Sequence, residues 1–370
     1  MQKSRPKIVF ICTCTPDSNG VGWEQRAFSM LLAYSKYLDV ELWFQPTSDN
    51  PDIKRLTQVS SICSSVIVFY PILMKTDVHL RNMFDRALSS AQCVHVYRNM
   101  EIVAILRHTC IIWDLDEIPW DLRDESRNSG LKFSTPHKKD ERVNQFTKAL
   151  EKSTVVLTSS PLEIHNELGE VTVIPNVYVD IPIYRKKNHT CNLLFVGNLN
   201  YQPNVDAVLF FAKHILPLLP SYMQLHVVGR TPINQEILVD FNKLSLDSRI
   251  TFFYDVQRCS PYYFNAAVAI IPLRFGGGTK LKILEAFAHS CPVVSTSIGC
   301  EGLLVKDGVE LLVRNAVHDF AQACIAIIEK PLIGENLAKK AYDLIVNEYS
   351  QDVIDKHVHS VLRGISILQH

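Results

Sequence analysis

The residues best equipped for chemistry are concentrated between Arg274 and Glu285, in the run Arg274-Phe-Gly-Gly-Gly-Thr-Lys-Leu-Lys-Ile-Leu-Glu285. An apolar run, Ala267–Pro272, precedes the three glycines, and a helical pattern follows over Lys280–His289. Glycines let backbone N–H groups approach a phosphate, and the positive end of the next helix favours an anion. Lys280 adds a full charge at the start of that helix, and Arg274 reaches the same region. Glu285 is offset from the apolar face formed by Leu281, Leu284 and Ala288. A carboxylate placed there can accept hydrogen bonds from a sugar diol. The chemistry implied is recognition of a phosphorylated, hydroxyl-bearing ligand. A second turn, Pro16-Asp-Ser-Asn-Gly-Val-Gly-Trp23, puts Gly20 and Gly22 before another helical pattern. Taken alone, either loop reads equally well as an ordinary strand-to-helix turn.

Such loops need strands to hold them. Apolar runs recur at Lys7–Ile11, Val40–Phe44, Val66–Phe69, Val94–Val96, Ile111–Trp113, Val155–Leu157 and Val171–Ile174. They are apolar on both faces, as parallel strands covered by helices must be. Helical patterns such as Trp23–Tyr37 and Val143–Lys152 separate them, which predicts a doubly wound α/β domain. The stretch Ile174–Thr190 has two prolines, a charged cluster and no periodicity, so it reads as a linker. The alternation then restarts with strands at Leu193–Val196, Leu225–Val228, Ile250–Phe253, Ala267–Pro272, Pro292–Ser295 and Leu311–Val313. The expected domains are 1–178 and 188–350, with a helix over 351–370 packing back on the first. That last helix is amphipathic, with Val353, Ile354, His357, Val358, Val361 and Leu362 at helical spacing. Its stripe suits core packing better than a membrane-binding face.

Composition narrows the function. The 370 residues contain 38 basic and 38 acidic side chains, a zero formal charge that argues against a nucleic-acid partner. Apolar residues make up 47%, ordinary for a soluble globular protein. The apolar run behind the short basic N-terminus is too short for a signal peptide, and none approaches the roughly 18 residues needed to cross a bilayer. The expected location is the cytoplasm, with peripheral association at the inner face of the membrane left open. The ten cysteines read as reduced core or pocket residues, and none has metal-site spacing.

The segment from Ala269 to Thr296 resembles the C-terminal signature of the large retaining glycosyltransferase family 4, of the GT-B fold. The likeness continues through Gly299-Cys300-Glu301-Gly302-Leu303 and Asp307-Gly308, and upstream through Phe195-Val-Gly-Asn-Leu-Asn-Tyr-Gln-Pro-Asn-Val-Asp-Ala207. It spans residues 190 to 350, and more weakly the N-terminal half. The resemblance implies two Rossmann-like domains facing a central cleft. It implies transfer of a sugar from a nucleotide-diphosphate donor to an acceptor hydroxyl, with retained configuration, in polysaccharide, glycolipid or glycoconjugate synthesis. Glu285 would hold the ribose hydroxyls; Gly278, Thr279, Lys280 and Leu281 would line the diphosphate; the backbone at Asp255-Val256 would meet the base. Arg230 is a weaker donor-side candidate, and Gly20 and Gly22 would face the donor.

Three departures from the family pattern matter. Gly277 stands where a glutamate usually contacts the donor sugar. Asn198 and Asn204 stand where an Arg and a Lys usually neutralise the diphosphate, which shifts that task to Lys280 and Arg274. Ser290 replaces the glycine that usually ends the helix. In the first domain, either His95 or Tyr97 occupies the place of a histidine that in the family contacts the donor sugar, and Tyr97 is also an acceptor-side candidate. The acidic, aromatic stretch Trp113–Asp121 offers Asp114, Asp116 and Glu117 for acceptor hydroxyls, with Asp116 the expected positioning group. These carboxylates could also suggest a metal site; the resemblance implies that none is needed, so no cofactor is expected. The partners implied are the nucleotide-sugar and a carbohydrate or lipid-linked acceptor. Two alternatives remain open: a sugar-nucleotide epimerase of the same fold and a non-catalytic binding subunit. A dehydrogenase is disfavoured, because the first loop lacks the third glycine of the dinucleotide fingerprint.

Overall fold

The computed structural model describes residues 5–18, 20, 22–46, 53–70, 78–116, 136–160, 171–185, 190–276 and 279–368. Gly277, Gly278 and Glu117 lie outside the described residues. The chain forms two compact units, one of Met1–Val179 with Gln351–His370 and the other of Asp180–Ser350.

In the first unit the strands are β1 (Lys7–Cys12), β2 (Asp39–Phe44), β3 (Ser65–Val68), β4 (Cys93–Tyr97), β5 (Ile111–Asp116), β6 (Val155–Thr158) and β7 (Val171–Val173). In the second they are β8 (Asn192–Val196), β9 (Gln224–Gly229), β10 (Ile250–Tyr254), β11 (Val268–Ile271), β12 (Val293–Ser295) and β13 (Leu312–Val313). Both sheets are parallel, in the orders β3-β2-β1-β4-β5-β6-β7 and β10-β9-β8-β11-β12-β13. Every apolar run marked as a strand in the sequence is one, with ends displaced by a few residues. The two orders share one plan. The chain builds outward from β1, or from β8, then crosses back to start on its other side at β4, or β11. Ligands of open α/β sheets bind outside the carboxyl ends of the strands at such a reversal.

Burial explains the plan. Strands β4 and β5 are buried along their whole length. Alternate residues of β1 feed two separate cores: Ile8, Phe10 and Cys12 on one face, Val9 and Ile11 on the other. Helix α1 (Gly22–Ser35) covers the first face with Ala27, Met30 and Leu31. The C-terminal helix α7 (Gln351–Gly364) joins the same core through Ile354, Val358 and Leu362, each fully buried. Its amphipathic stripe is therefore spent on packing, and Gln351 also donates to the Ser29 carbonyl. All ten cysteines are free thiols. Among the described residues no helix is long and apolar enough to cross a membrane.

In the second unit, α2 (Gln202–Phe210) follows β8, α3 (Ser260–Asn265) follows β10, and α4 (Leu281–Ala288) links β11 to β12. Further on, α5 (Val317–Glu329) and α6 (Pro331–Glu348) complete the unit. Helix α4 ends on Ser290, which adopts a left-handed φ of 54°. The Cys291 N–H donates to the Ala286 carbonyl and the Ser290 N–H to that of Phe287, the double bond pattern of a glycine-type helix stop. A serine thus holds a conformation that suits glycine, at a cost of about 1–2 kcal/mol for an L-residue. Ser290→Gly is expected to raise the urea midpoint, through a gain of about 1 kcal/mol in unfolding free energy once the added freedom of the unfolded chain is subtracted. An unchanged or lower midpoint would contradict this.

Candidate functional site

At the carboxyl edge of the second sheet, three loops are bound to one another by short polar side chains. After β8, the Asn198 side chain accepts from the Asn200 N–H at 3.0 Å, and Asn204 Nδ2 donates to the Asn198 carbonyl at 2.9 Å. Asn200 then bridges to the loop after β9, donating to the Thr231 carbonyl and accepting from the Ile233 N–H. After β10, Asp255 holds a left-handed φ of 50° and accepts from the Thr231 backbone and hydroxyl at 3.1 and 2.5 Å. These bonds hold the Asp255-Val256 backbone at the edge, with Val256 half-buried and Arg230 exposed.

The loop after β11 carries Gly276 at φ 119°, a value open to glycine, and leads to Thr279 and Lys280 at the start of α4. Lys280 is 8% exposed, and its ammonium lies 3.4 Å from the Gly276 carbonyl, so it folds across the glycine loop. Thr279 and Leu281 are half-buried beside it. Glu285 accepts from the Tyr263 hydroxyl of α3 at 3.2 Å, and the Tyr263 ring stacks on His289. Burial pushes the Glu285 carboxyl up to about 7, against the opposing effects of Tyr263 and Lys282.

Arg274 is a correction to the sequence reading. Its guanidinium is engaged by the Asp206 carboxylate of α2 and lies 4.6 Å from the Phe210 ring centre. A cation already held by a carboxylate and an aromatic face joins the loop to α2 instead of waiting for a phosphate. Lys282, which the sequence reading passed over, points into the edge between β8 and α4: its ammonium lies 2.5 Å from Asn204 Oδ1 and 4.6 Å from the Phe195 ring centre. A signal was present, because Lys282 and Glu285 are three residues apart and so share a helix face.

The first unit places its candidates differently. His95 is mid-strand, paired in register with Phe10, and fully buried. It stacks on Phe10 at 4.3 Å and its Nδ1 lies 3.0 Å from the Tyr34 hydroxyl. Burial, and secondarily Arg26, push the imidazole well below its usual range. His95 is therefore a neutral core residue, and its expected contact with a sugar is withdrawn. Asp114 is corrected in the same way: fully buried, it receives Nε and Nη2 of Arg26 at 2.9–3.2 Å. Arg26, also fully enclosed, donates further to the Ile174 carbonyl and Asn176 Oδ1. A carboxylate so bound cannot also serve acceptor hydroxyls.

Asp116 is the outermost member of this network. It closes β5 at a left-handed φ of 60°, where the strand register slips. Its N–H donates to Asp114 Oδ1, and its carboxylate accepts from the Tyr97 hydroxyl at 3.0 Å and Asn176 Nδ2 at 3.3 Å. Tyr97 is 1% exposed, so the direct acceptor contact expected of it is replaced by a hold on Asp116. Non-glycine residues in this backbone region cost roughly 1–3 kcal/mol and concentrate at functional sites. Arg98, next after β4, is left-handed too, at φ 63°. In the loop after β1, Gly20 spends its N–H on the Asp17 carbonyl, and Gly22 opens α1. Removing one partner of a fully buried ion pair costs about 3–5 kcal/mol, whereas replacing both with apolar groups does not. Arg26→Met should lower the urea midpoint sharply, and Arg26→Met/Asp114→Leu should recover most of the loss. A single variant as stable as wild type would contradict the geometry.

Comparison with known proteins agrees with this architecture. Residues 190–330 match the family described as glycosyl transferases group 1. An uncharacterized 44.6 kDa protein from the cps region of Klebsiella pneumoniae is 29% identical over 171 residues. That alignment spans 44% of this chain and 43% of the Klebsiella protein, under half of each. Anabaena HepE, solved with UDP-glucose, superposes with a TM-score of 0.74 over 97% of this chain and 99% of its own, at 16% identity. Sucrose-phosphate synthase from Thermosynechococcus elongatus gives 0.71 over 98% and 99%, at 15% identity. At such identities the likeness speaks for the fold. The chain has the GT-B fold, and within it residues 190–330 are similar to the glycosyl transferases group 1 family.

Proposed function

We propose that this chain is a glycosyltransferase that takes a sugar from a nucleoside-diphosphate donor and passes it, with retained configuration, to a hydroxyl of a carbohydrate or lipid-linked acceptor. The observation that carries the reading is the carboxyl edge between β8 and β11, a sheet reversal beside which Lys280 reaches the Gly276 carbonyl and Tyr263 holds Glu285. Glu285, oriented by Tyr263, accepts hydrogen bonds from the ribose diol. The Asp255-Val256 backbone meets the base. Lys280 lies across the glycine loop and meets the charge that develops on the departing diphosphate, a preorganised electrostatic contribution that needs no proton transfer. The departing phosphate takes the acceptor proton on the same face. Asp116, fixed by Tyr97 and Asn176, orients the acceptor hydroxyl. HepE was solved with UDP and UDP-glucose, which makes uracil the first base to test.

A panel of UDP, GDP and ADP should contain at least one nucleotide that raises the thermal midpoint, because a ligand of the folded state stabilises it. If none does, the reading fails. With the active donor in hand, Lys280→Ala should lower kcat by about 10²–10³-fold, the loss typical of one charge-stabilising donor. Wild-type turnover in that variant would remove Lys280 from the mechanism. Because protein cations supply the charge in this scheme, EDTA should leave the rate unchanged; a loss restored by a divalent cation would refute the metal-free mechanism.

A further inference from the structure

The Lys282 ammonium occupies a place that the glycosyltransferase reading does not explain. It lies behind the carboxyl end of β8, over the Phe195 ring and against Asn204. Gly197 makes the space: a Cβ there would come within 3.0 Å of the Lys282 nitrogen and 2.8 Å of Asn204 Nδ2. Any larger residue at 197 would displace one of the two, so strand end, helix α2 and the Lys282 side chain fit only as a set.

An ammonium has three N–H donors. Among the described residues the Lys282 hydrogen bond is to Asn204, and no described carboxylate forms an ion pair with it. Its surroundings offer little compensation. Lys280 repels it, and Glu285, which would attract it, is itself driven towards the neutral form by burial. Burial first, then Lys280, bring the Lys282 amine down to about 7. Lys282 is half-buried, and a cation drawn partly out of water without an ion-pair partner is costly to hold. This one sits at the sheet reversal, beside the loop that Lys280 crosses. What the arrangement lacks is an anion with several acceptor oxygens.

We propose that Lys282 is a direct ligand of the donor diphosphate, sharing it with Lys280. The inference rests on the glycosyltransferase reading and assigns the charge that is absent from the sequence at Asn198 and Asn204. Asn204 does not contribute charge; its side-chain oxygen holds the ammonium of a lysine from another helix. The Lys282 nitrogen lies over the Phe195 ring and makes one neutral bond, to Asn204, which leaves two donors for phosphate oxygens.

The test is titration of wild type and Lys282→Met with UDP and with uridine by calorimetry, with circular dichroism to confirm the fold. If wild type prefers another nucleotide of the UDP, GDP and ADP panel, that nucleotide and its nucleoside replace UDP and uridine. The expected result is a loss of about tenfold to hundredfold in diphosphate affinity, the range for a charge-assisted hydrogen bond, with nucleoside affinity within twofold of wild type. Lys282→Gln keeps a donor for Asn204 without the charge and should lose diphosphate affinity equally, which covers the case in which methionine fails to fold. Asn204→Lys/Lys282→Met, returning the charge from α2, should regain affinity. If wild type binds no nucleoside diphosphate, the glycosyltransferase reading itself falls. If wild type binds and both Lys282 variants bind the diphosphate within twofold of it, that reading stands and the role of Lys282 is overturned.

Discussion

The structure depends on one constraint: parallel strands buried on both faces can be joined only by crossovers, and the crossovers are right-handed. A chain that builds outward from β1 must return past its starting point to build the other side. At that reversal the helices leaving neighbouring strands go to opposite faces, and the carboxyl ends of those strands are left uncovered. The same order arises in both units, so each has one such edge. The positions of Asp116 and Lys280 follow from this before any chemistry is considered. Left-handed Arg98, Asp116 and Asp255 all fall just at or after strand ends on these edges, where the chain must turn sharply and a regular ladder no longer constrains it.

The first unit holds its edge with charge. Burying Arg26 and Asp114 together gains little over an apolar pair, so stability alone is a poor reason for them. Their geometry offers a better one. The guanidinium fork bonds Asp114 on β5, the Ile174 carbonyl and Asn176 at once, and Asp114 then receives the N–H of Asp116. An apolar cluster could fill the same volume, but it would not fix the orientation of the Asp116 backbone. The second unit uses neutral amides instead. Asn198, Asn200 and Asn204 link the loops after β8 and β9, and Asn204 also accepts from the Lys282 ammonium of α4.

The sheets were legible in the sequence because burial on both faces turns each strand into a continuous apolar run with clear ends. The glycine loop and Glu285 were legible because local spacing defines them. What sequence could not supply was distance between remote residues. Arg26 meets Asp114 across 88 positions, and nothing near either residue signals the pairing. His95 carried the right residue type near a strand end, yet it sits two residues short of that end, and a period of two puts it in the core beside Phe10. Arg274 carried the right charge, but Asp206 and Phe210 of α2 had already claimed it.

Charge read by position and charge read in space therefore lead to different residues. Along the chain, Asn204 looks like a lost lysine. In the folded unit, Asn204 touches a lysine that enters from α4, with Gly197 keeping the space open. A site needs an ammonium at a point, and the backbone from which it extends is free to vary as long as the stem can be buried on the way. Here the ammonium lies over the Phe195 ring, near the end of the strand where the sheet reverses. Replacing a charge on one helix with a charge from the next keeps the field at the edge and also couples it to the glycine loop, because Lys280 and Lys282 belong to the same turn of chain. Two like charges held this close destabilise the empty edge, and an anion bound between them removes the repulsion and gains both attractions. In such an arrangement discrimination for a diphosphate over an uncharged ligand comes from the cost of the unliganded state as much as from the contacts made on binding.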